Sequence, residues 1–544
     1  MRYFSKIRQQ WSWDGGLRYL LLFAFFLLVY GPLVALMEEA SRYSLMNPET
    51  ALNLAFPSGR ILGLLINSLG LAMAVAAVGT GLGILAGSLM WRWQTGVRSY
   101  LRWFILVLAP VPPYLHALAW SSAIDNLNNH LQFLGWTTIS LQGWIAAWWV
   151  QLMAFLPIAV GMALIGFESV DPYLIEAAGL LRSDMQVFTR VILPLSAAPI
   201  AAGSGLLFLL SITDYSVPSL FSANVYSLEI FAEYSASNQP ATAVLLALPL
   251  LIVTVLVVTG LQSALRDAAQ IAPRQPQACR ASLWPPWFVW LQKCGLAVLF
   301  LQVGTLLVSS VAAVVSLEKM TSTIILAGSE ISFTFWIALA TALAAVPVAL
   351  AASMELRRKD VLGRVFWVLV TAPLAVPAPL VGIGLISLWS RAVWPDFYGS
   401  SAMPVLAALA RFAPLAAIVL LAQLRNIDPL LIDAAHVFQV KAQQTWVQIW
   451  LPLLAPGMLA AAGIAFALTS GELGATLIVA PPGHATLTMR IYNYLHYGAS
   501  SDVAGLCLMM AIATLAVGCL AALALTGWRP GGKIPLSAGR VRSR

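Results

Sequence analysis

EAAGLLRSDMQVFTRVILP, residues 176–194, and DAAHVFQVKAQQTWVQIWLP, residues 433–452, are two forms of one stretch, each set between long apolar runs. Each begins just after an Asp-Pro pair, Asp171-Pro172 in the first and Asp428-Pro429 in the second. An Asp side chain accepts from the free N–H groups of a helix start, and Pro fits the first helical position. Each stretch therefore reads as a short helix, a turn and a second helix halted at Leu-Pro. Such a polar helical hairpin between membrane spans serves something in the water.

Apolar residues make up 60% of the 544 and charged residues only 10%, with a mean hydropathy of +0.84. A soluble protein of this length could not hide so much hydrocarbon, so the bilayer is its solvent. Runs long enough to span lie near residues 17–37, 61–90, 103–122, 141–166, 197–213 and 241–264, and a second six near 287–315, 331–353, 365–390, 402–423, 455–478 and 502–527. The fold class expected is an all-α membrane protein of twelve transmembrane helices in two sets of six. Glu38-Glu39 follows the first run where a small-residue cleavage site would stand, so that run reads as a retained span. Residues 265–286, rich in Pro, Arg and Gln, read as a linker between a first transmembrane half, 1–264, and a second, 287–544. Cys279, Cys294, Cys507 and Cys519 show no paired spacing and read as packing residues.

Most of the 30 basic residues fall on one side of the membrane if the spans alternate. They include Arg2, Lys6 and Arg8 before the first span, Arg357, Arg358 and Lys359 between spans, and Arg540, Arg542 and Arg544 after the last. By the positive-inside rule that side is the cytoplasm, with both termini and both hairpins on it. The same topology accounts for the pI of 9.4 without nucleic-acid binding.

The halves align residue by residue. Asp171, Glu176, Ala177 and Ala178 stand 257 positions before Asp428, Asp433, Ala434 and Ala435, and after a one-residue slip Pro194 matches Pro452 and Asp214 falls on Glu472. Six spans return the chain to its starting side, so these are parallel repeats, and two like halves about an axis normal to the membrane would enclose a pathway.

The pattern E-A-A, an apolar stretch, then I-x-L-P resembles the coupling motif of permeases in binding-protein-dependent ABC importers. The fused two-half layout, with Thr213-Asp214-Tyr215-Ser216-Val217-Pro218 after the first motif and Gly471-Glu472-Leu473-Gly474-Ala475-Thr476 after the second, looks most like the ferric-iron-type permeases. Two departures stand out. The family's turn glycine is absent from both hairpins, with Gln439 in its place in the second, and Asp433 stands for the usual Glu.

The resemblance implies a type I importer permease fold in a bacterial inner membrane. It implies import of a small solute, ferric iron first, with thiamine, polyamine and phosphonate-type solutes as alternatives. Implied partners are two copies of a cytoplasmic ABC ATPase and a periplasmic solute-binding protein. Glu176, Ala177, Ala178, Asp433, Ala434 and Ala435 would seat the hairpins in the ATPases. No cofactor is expected on this chain, which is not expected to be an enzyme; ATP and Mg belong to the partner, since no phosphate-loop motif occurs here.

Charges inside spans are costly and mark a cavity or a partner. Asp214 and Glu472 are pseudo-symmetric and read either as an acidic mouth suited to a cation or as caps of broken helix ends. Arg411, whose counterpart is Ala154, reads as neutralising Glu472, as touching an anion that travels with the cargo, or as bonded to carbonyls. Tyr215 completes the substrate-pathway candidates. No metal site is expected, because His116, His130, His436, His484 and His496 lack ligand spacing. Segments 123–140, 214–240 and 479–501 are the expected docking loops for the binding protein. A gradient-driven secondary transporter also has six plus six helices, but has no use for two matched polar hairpins.

Overall fold

The computed structural model describes residues 15–92, 110–268, 284–312, 317–390, 397–427, 430, 446–496 and 500–527, and no strand occurs among them. Helices are what apolar runs must form in lipid, where every backbone group has to be satisfied within its own segment. The long helices of the first half are α1 (Gly15–Met46), α2 (Gly59–Trp91), α3 (Pro113–Phe133), α4 (Gly143–Ser169), α5 (Ala197–Thr213) and α6 (Pro240–Gly260). Those of the second are α7 (Pro286–Gly304), α8 (Gly328–Leu356), α9 (Ala378–Trp389), α10 (Ala402–Asn426), α11 (Leu451–Ser470) and α12 (Ser500–Gly527). Among the described residues nine helices are long and apolar enough to cross a membrane, and two bent pairs raise the number to eleven. α3 stands where the remaining span is expected, and residues 103–109 of that span lie outside the described residues.

Three segments depart from the straight reading of the sequence. Residues 365–390 are two helices meeting at 100°. Pro377 precedes α9 with φ −57° and ψ 141°, an extended geometry that ends one helix and starts the next. Pro112 precedes α3 with φ −60° and ψ 140°, so both halves open this helix in the same way.

The second helix of the first hairpin is not halted at Leu-Pro. It runs from Asp184 through one π turn, Phe188–Ile192, passes Pro194 and bends by 66° into α5. In the second half the π turn Trp446–Trp450 leads past Pro452 straight into α11. A proline ring crowds the carbonyl four residues back and offers no N–H, and a widened turn relieves both defects without ending the helix. The third departure is the eleventh span, where α11 ends at Ser470 and Thr476–Val479 is a separate short helix.

Packing relies on small residues, because lipid tails are as apolar as Leu and give helices little reason to associate. On α2, Gly79, Gly83 and Gly87 recur every four residues; Gly83 and Gly87 face α4, and Gly79 faces Leu207 of α5 and Leu152 of α4. A Cβ on Gly83 would stand 2.8 Å from the backbone of Ala159, and one on Gly87 would stand 3.1 Å from the Ala163 methyl.

The first helix of each half crosses to the other half. α1 packs on α8, α9 and α10, where Phe25 and Val29 join Ala349, Leu420 and Leu424 in one core. Its Tyr30 hydroxyl donates to the Leu369 carbonyl at 2.6 Å, and the Ser387 hydroxyl of α9 donates to Glu39. α7 does the same in reverse against α2 and α4, with Phe288 and Leu299 set among Ala86, Met90 and Phe167. Gln292 on α7 donates to the Ser88 hydroxyl at 2.8 Å. At the far end of α1, Arg18 pairs with Glu355, which Arg358 reaches at 3.3 Å. Hydrogen bonds to Asp360 hold the Arg358 guanidinium above its ordinary range.

Candidate functional site

Two places carry the polar chemistry. The first is the hairpin on Asp171, whose Oδ1 accepts from the Tyr173 N–H at 3.0 Å and caps the helix Pro172–Gly179. Glu176 and Ala177 are exposed on this helix, while Ala178 is half-buried and packs towards the Phe188 core. The turn needs no glycine. Leu180 is right-handed helical and Ser183 extended, and no positive φ occurs between them. The tip is apolar, with Leu180 and Leu181 exposed by 79% and 83%. Asp433, Ala434 and Ala435 lie outside the described residues, as do Asp428 and Pro429.

The second place lies between the halves, at the ends of α5 and α11. Asp214 follows α5 and caps the helix Ser216–Leu220. Its Oδ1 accepts from the Ser216 N–H at 3.0 Å and hydroxyl at 2.6 Å, and its Oδ2 from Gln151 Nε2 at 2.9 Å. The Ser211 hydroxyl in turn donates to Gln151 Oε1 at 2.6 Å. Among the described residues this acid is held by neutral donors.

Glu472 is its counterpart after α11 and is held differently. Its Oε1 accepts from the Ala475 N–H at 2.9 Å and pairs with Arg411, with the carboxylate wholly buried. Its Oε2 is buried and has no partner among the described residues. Arg411 also lies 5.1 Å from the Phe412 ring centre. Of the roles open to it in the sequence, the geometry displays the neutralisation of Glu472.

Two glycines bring the halves together here. A Cβ on Gly471 would collide with the Pro112 ring of the opposite half. One on Gly474 would meet Tyr215 Cε1 at 3.3 Å, Glu472 Oε1 at 3.4 Å and the Ala378 methyl. So Tyr215 of the first half and Glu472 of the second converge on Gly474, beside the start of α9. The Tyr215 ring stacks on Phe231, centroids 5.6 Å apart at 8°, and its buried hydroxyl has no partner among the described residues. Ser219 and Tyr492 share a hydrogen bond of 2.9 Å across the same boundary.

Gln151, Tyr492 and Pro112 were not singled out by the sequence. An amide in the middle of the apolar run 141–166 is the signal that marks Gln151; nothing local marks the others. His116 is buried on α3 with both ring nitrogens unpartnered among the described residues, and His484 sits 5.2 Å from the Phe333 ring. No group of three His, Cys, Asp or Glu that could hold a metal occurs among the described residues.

Comparison with known proteins agrees with the two-half organisation. The family described as binding-protein-dependent transport system inner membrane component matches twice, over residues 79–270 and 345–528. The chain is 29% identical over 146 residues to the "Putative 2-aminoethylphosphonate transport system permease protein PhnV" of Salmonella typhimurium, covering 26% of this chain and 54% of that one. It is 26% identical over 167 residues to the putrescine transport system permease protein PotI of Escherichia coli K12, covering 30% and 57%. The chain thus spans about half the length of these curated relatives.

Proposed function

Because this chain belongs to the family of binding-protein-dependent transport system inner membrane components, we propose that it forms the whole translocation path of an ATP-driven importer, with both permease halves in one polypeptide. The observation that carries this reading is the double family match, one per half, which also sets aside a gradient-driven transporter. Two cytoplasmic ATPase subunits would receive the hairpins at Glu176–Ala178 and Asp433–Ala435, and a solute-binding protein would deliver cargo from the opposite side. The exposed Leu180-Leu181 tip supports the first contact. Closure of the ATPases on ATP would push the hairpins as rigid bodies and tilt the helices joined to them, switching access between the two faces. Both termini would lie with the hairpins in the cytoplasm, and the chain itself would bind neither ATP nor Mg.

For the cargo, the phosphonate and polyamine alternatives stand ahead of ferric iron. The named relatives are permeases for 2-aminoethylphosphonate and for putrescine, two solutes that share a primary ammonium group. Asp214, Tyr215, Arg411 and Glu472 would border the path. The test is uptake by inverted-topology controls and right-side-out vesicles holding permease, ATPase and binding protein, assayed with 2-aminoethylphosphonate, putrescine and ferric iron. ATP-dependent accumulation of either ammonium-bearing solute supports the reading. Accumulation of iron alone would restore the ferric assignment, and uptake without an ATPase would overturn the importer itself.

A further inference from the structure

The two pseudo-symmetric acids make the same backbone cap but do not use their oxygens equally. Asp214 spends both oxygens on donors from Ser216 and Gln151. Glu472 spends Oε1 on Ala475 and Arg411 and, among the described residues, leaves Oε2 bare in a wholly buried side chain. Capping therefore does not require an empty acceptor, since the first half caps without one. A buried acceptor with no donor is costly, and a carboxylate oxygen more so than a neutral one. Tyr215 of the other half brings its ring edge, Cε1, to the same glycine that Glu472 Oε1 approaches, and its buried hydroxyl is likewise without a partner among the described residues.

The missing donor has a definable chemistry. A hard metal ion takes six or more oxygen ligands, and no cluster of acids or histidines stands here among the described residues. A primary ammonium has three N–H donors and accepts nothing, so one such group can donate to a carboxylate oxygen and to a phenol oxygen together. Arg411 already offsets the carboxylate charge, which keeps the attraction shallow, as a site on a transport path must be if the solute is to leave it. The Phe231 ring stacked on Tyr215 fixes the hydroxyl in place.

We propose that Glu472 Oε2 and the Tyr215 hydroxyl form a one-sided subsite for the ammonium group of the cargo as it passes between the halves. This rests on the cargo class argued above. It assigns selectivity to the permease itself, and to one half of its pathway.

Uptake of radiolabelled 2-aminoethylphosphonate and putrescine by cells carrying the complete transport system tests it, comparing wild type with Tyr215→Phe and Glu472→Gln. Tyr215→Phe removes a hydroxyl that holds no other bond among the described residues, so a merely structural tyrosine would lose nothing. The expected result is a fall of about tenfold in initial uptake rate with the amount of permease in the membrane unchanged. Glu472→Gln should lower it further. Equal rates for Tyr215→Phe and wild type overturn the subsite while leaving the cargo class standing. A loss that only tracks a loss of permease from the membrane also overturns it. If wild type takes up neither solute, the cargo reading fails and the subsite fails with it.

Discussion

Arg411 and Glu472 show how one residue's worth depends on its partner. The carboxylate is wholly buried, so removing the guanidinium leaves a charge with nothing to offset it. Arg411→Ala should therefore destabilise by about 3–5 kcal/mol, whereas Arg411→Met combined with Glu472→Gln should recover most of that loss. Thermal unfolding of the purified proteins in detergent checks this, and an additive double variant would contradict it. The charges themselves were legible as lone ionised residues in apolar runs. Their partners were not, because Arg411 is 61 residues from Glu472 and Gln151 is 63 from Asp214, and only the crossing of helices decides which donor meets which acid. For Asp214, three of its four neutral contacts come from Ser216 and Val217 next to it in the chain, and only Gln151 is brought in by the fold.

Helices α2 and α4 are held by the absence of side chains at their crossing. Gly83→Ala would drive a methyl into the Ala159 backbone and should cost about 1–3 kcal/mol, while Gly81→Ala on the same helix meets nothing and should be neutral or better. Equal melting temperatures for the two variants would show that the crossing tolerates a methyl. The hairpin gives the opposite case, an element whose exposed face contributes little to the fold. Replacing Leu180 and Leu181 together by Asp should leave the stability within about 0.5 kcal/mol of wild type. Yet it should abolish retention of the ATPase on the affinity-purified permease. Retention at the wild-type level would remove the hairpin tip from the docking surface. The hairpin was legible because Asp-Pro and the small EAA residues are local signals. The 100° break before α9 was not, since apolar composition reports burial in lipid and says nothing of direction. The π turns before Pro194 and Pro452 were hidden for a related reason: proline ends a helix in most settings, and only the continuing run in lipid makes a widened turn the better solution.

The repeats in the sequence and the packing units in space are not the same objects. Residues 79–270 and 345–528 match one family twice, but α1 completes the core of the second copy and α7 completes the core of the first. Both family matches begin beyond these helices, at residues 79 and 345. A repeat tells which helices correspond and leaves open which neighbour covers the first one, so this exchange could not be read from periodicity. It has a mechanical result. Each half is clasped by a helix of the other, through Tyr30 with Leu369, Arg18 with Glu355, and Gln292 with Ser88. Relative motion of the halves must therefore be rocking about these clasps, since separation would strip the apolar faces of α9 and α2. Expressed together as two chains, residues 1–268 and 284–544 should assemble without the linker and purify as one complex on a tag carried by either. Expressed alone, each should be degraded or aggregate, because each lacks the helix that covers it. A half that is monodisperse by itself, or a pair that does not co-purify, would show that the exchanged helices are ornaments and that the linker alone holds the halves together.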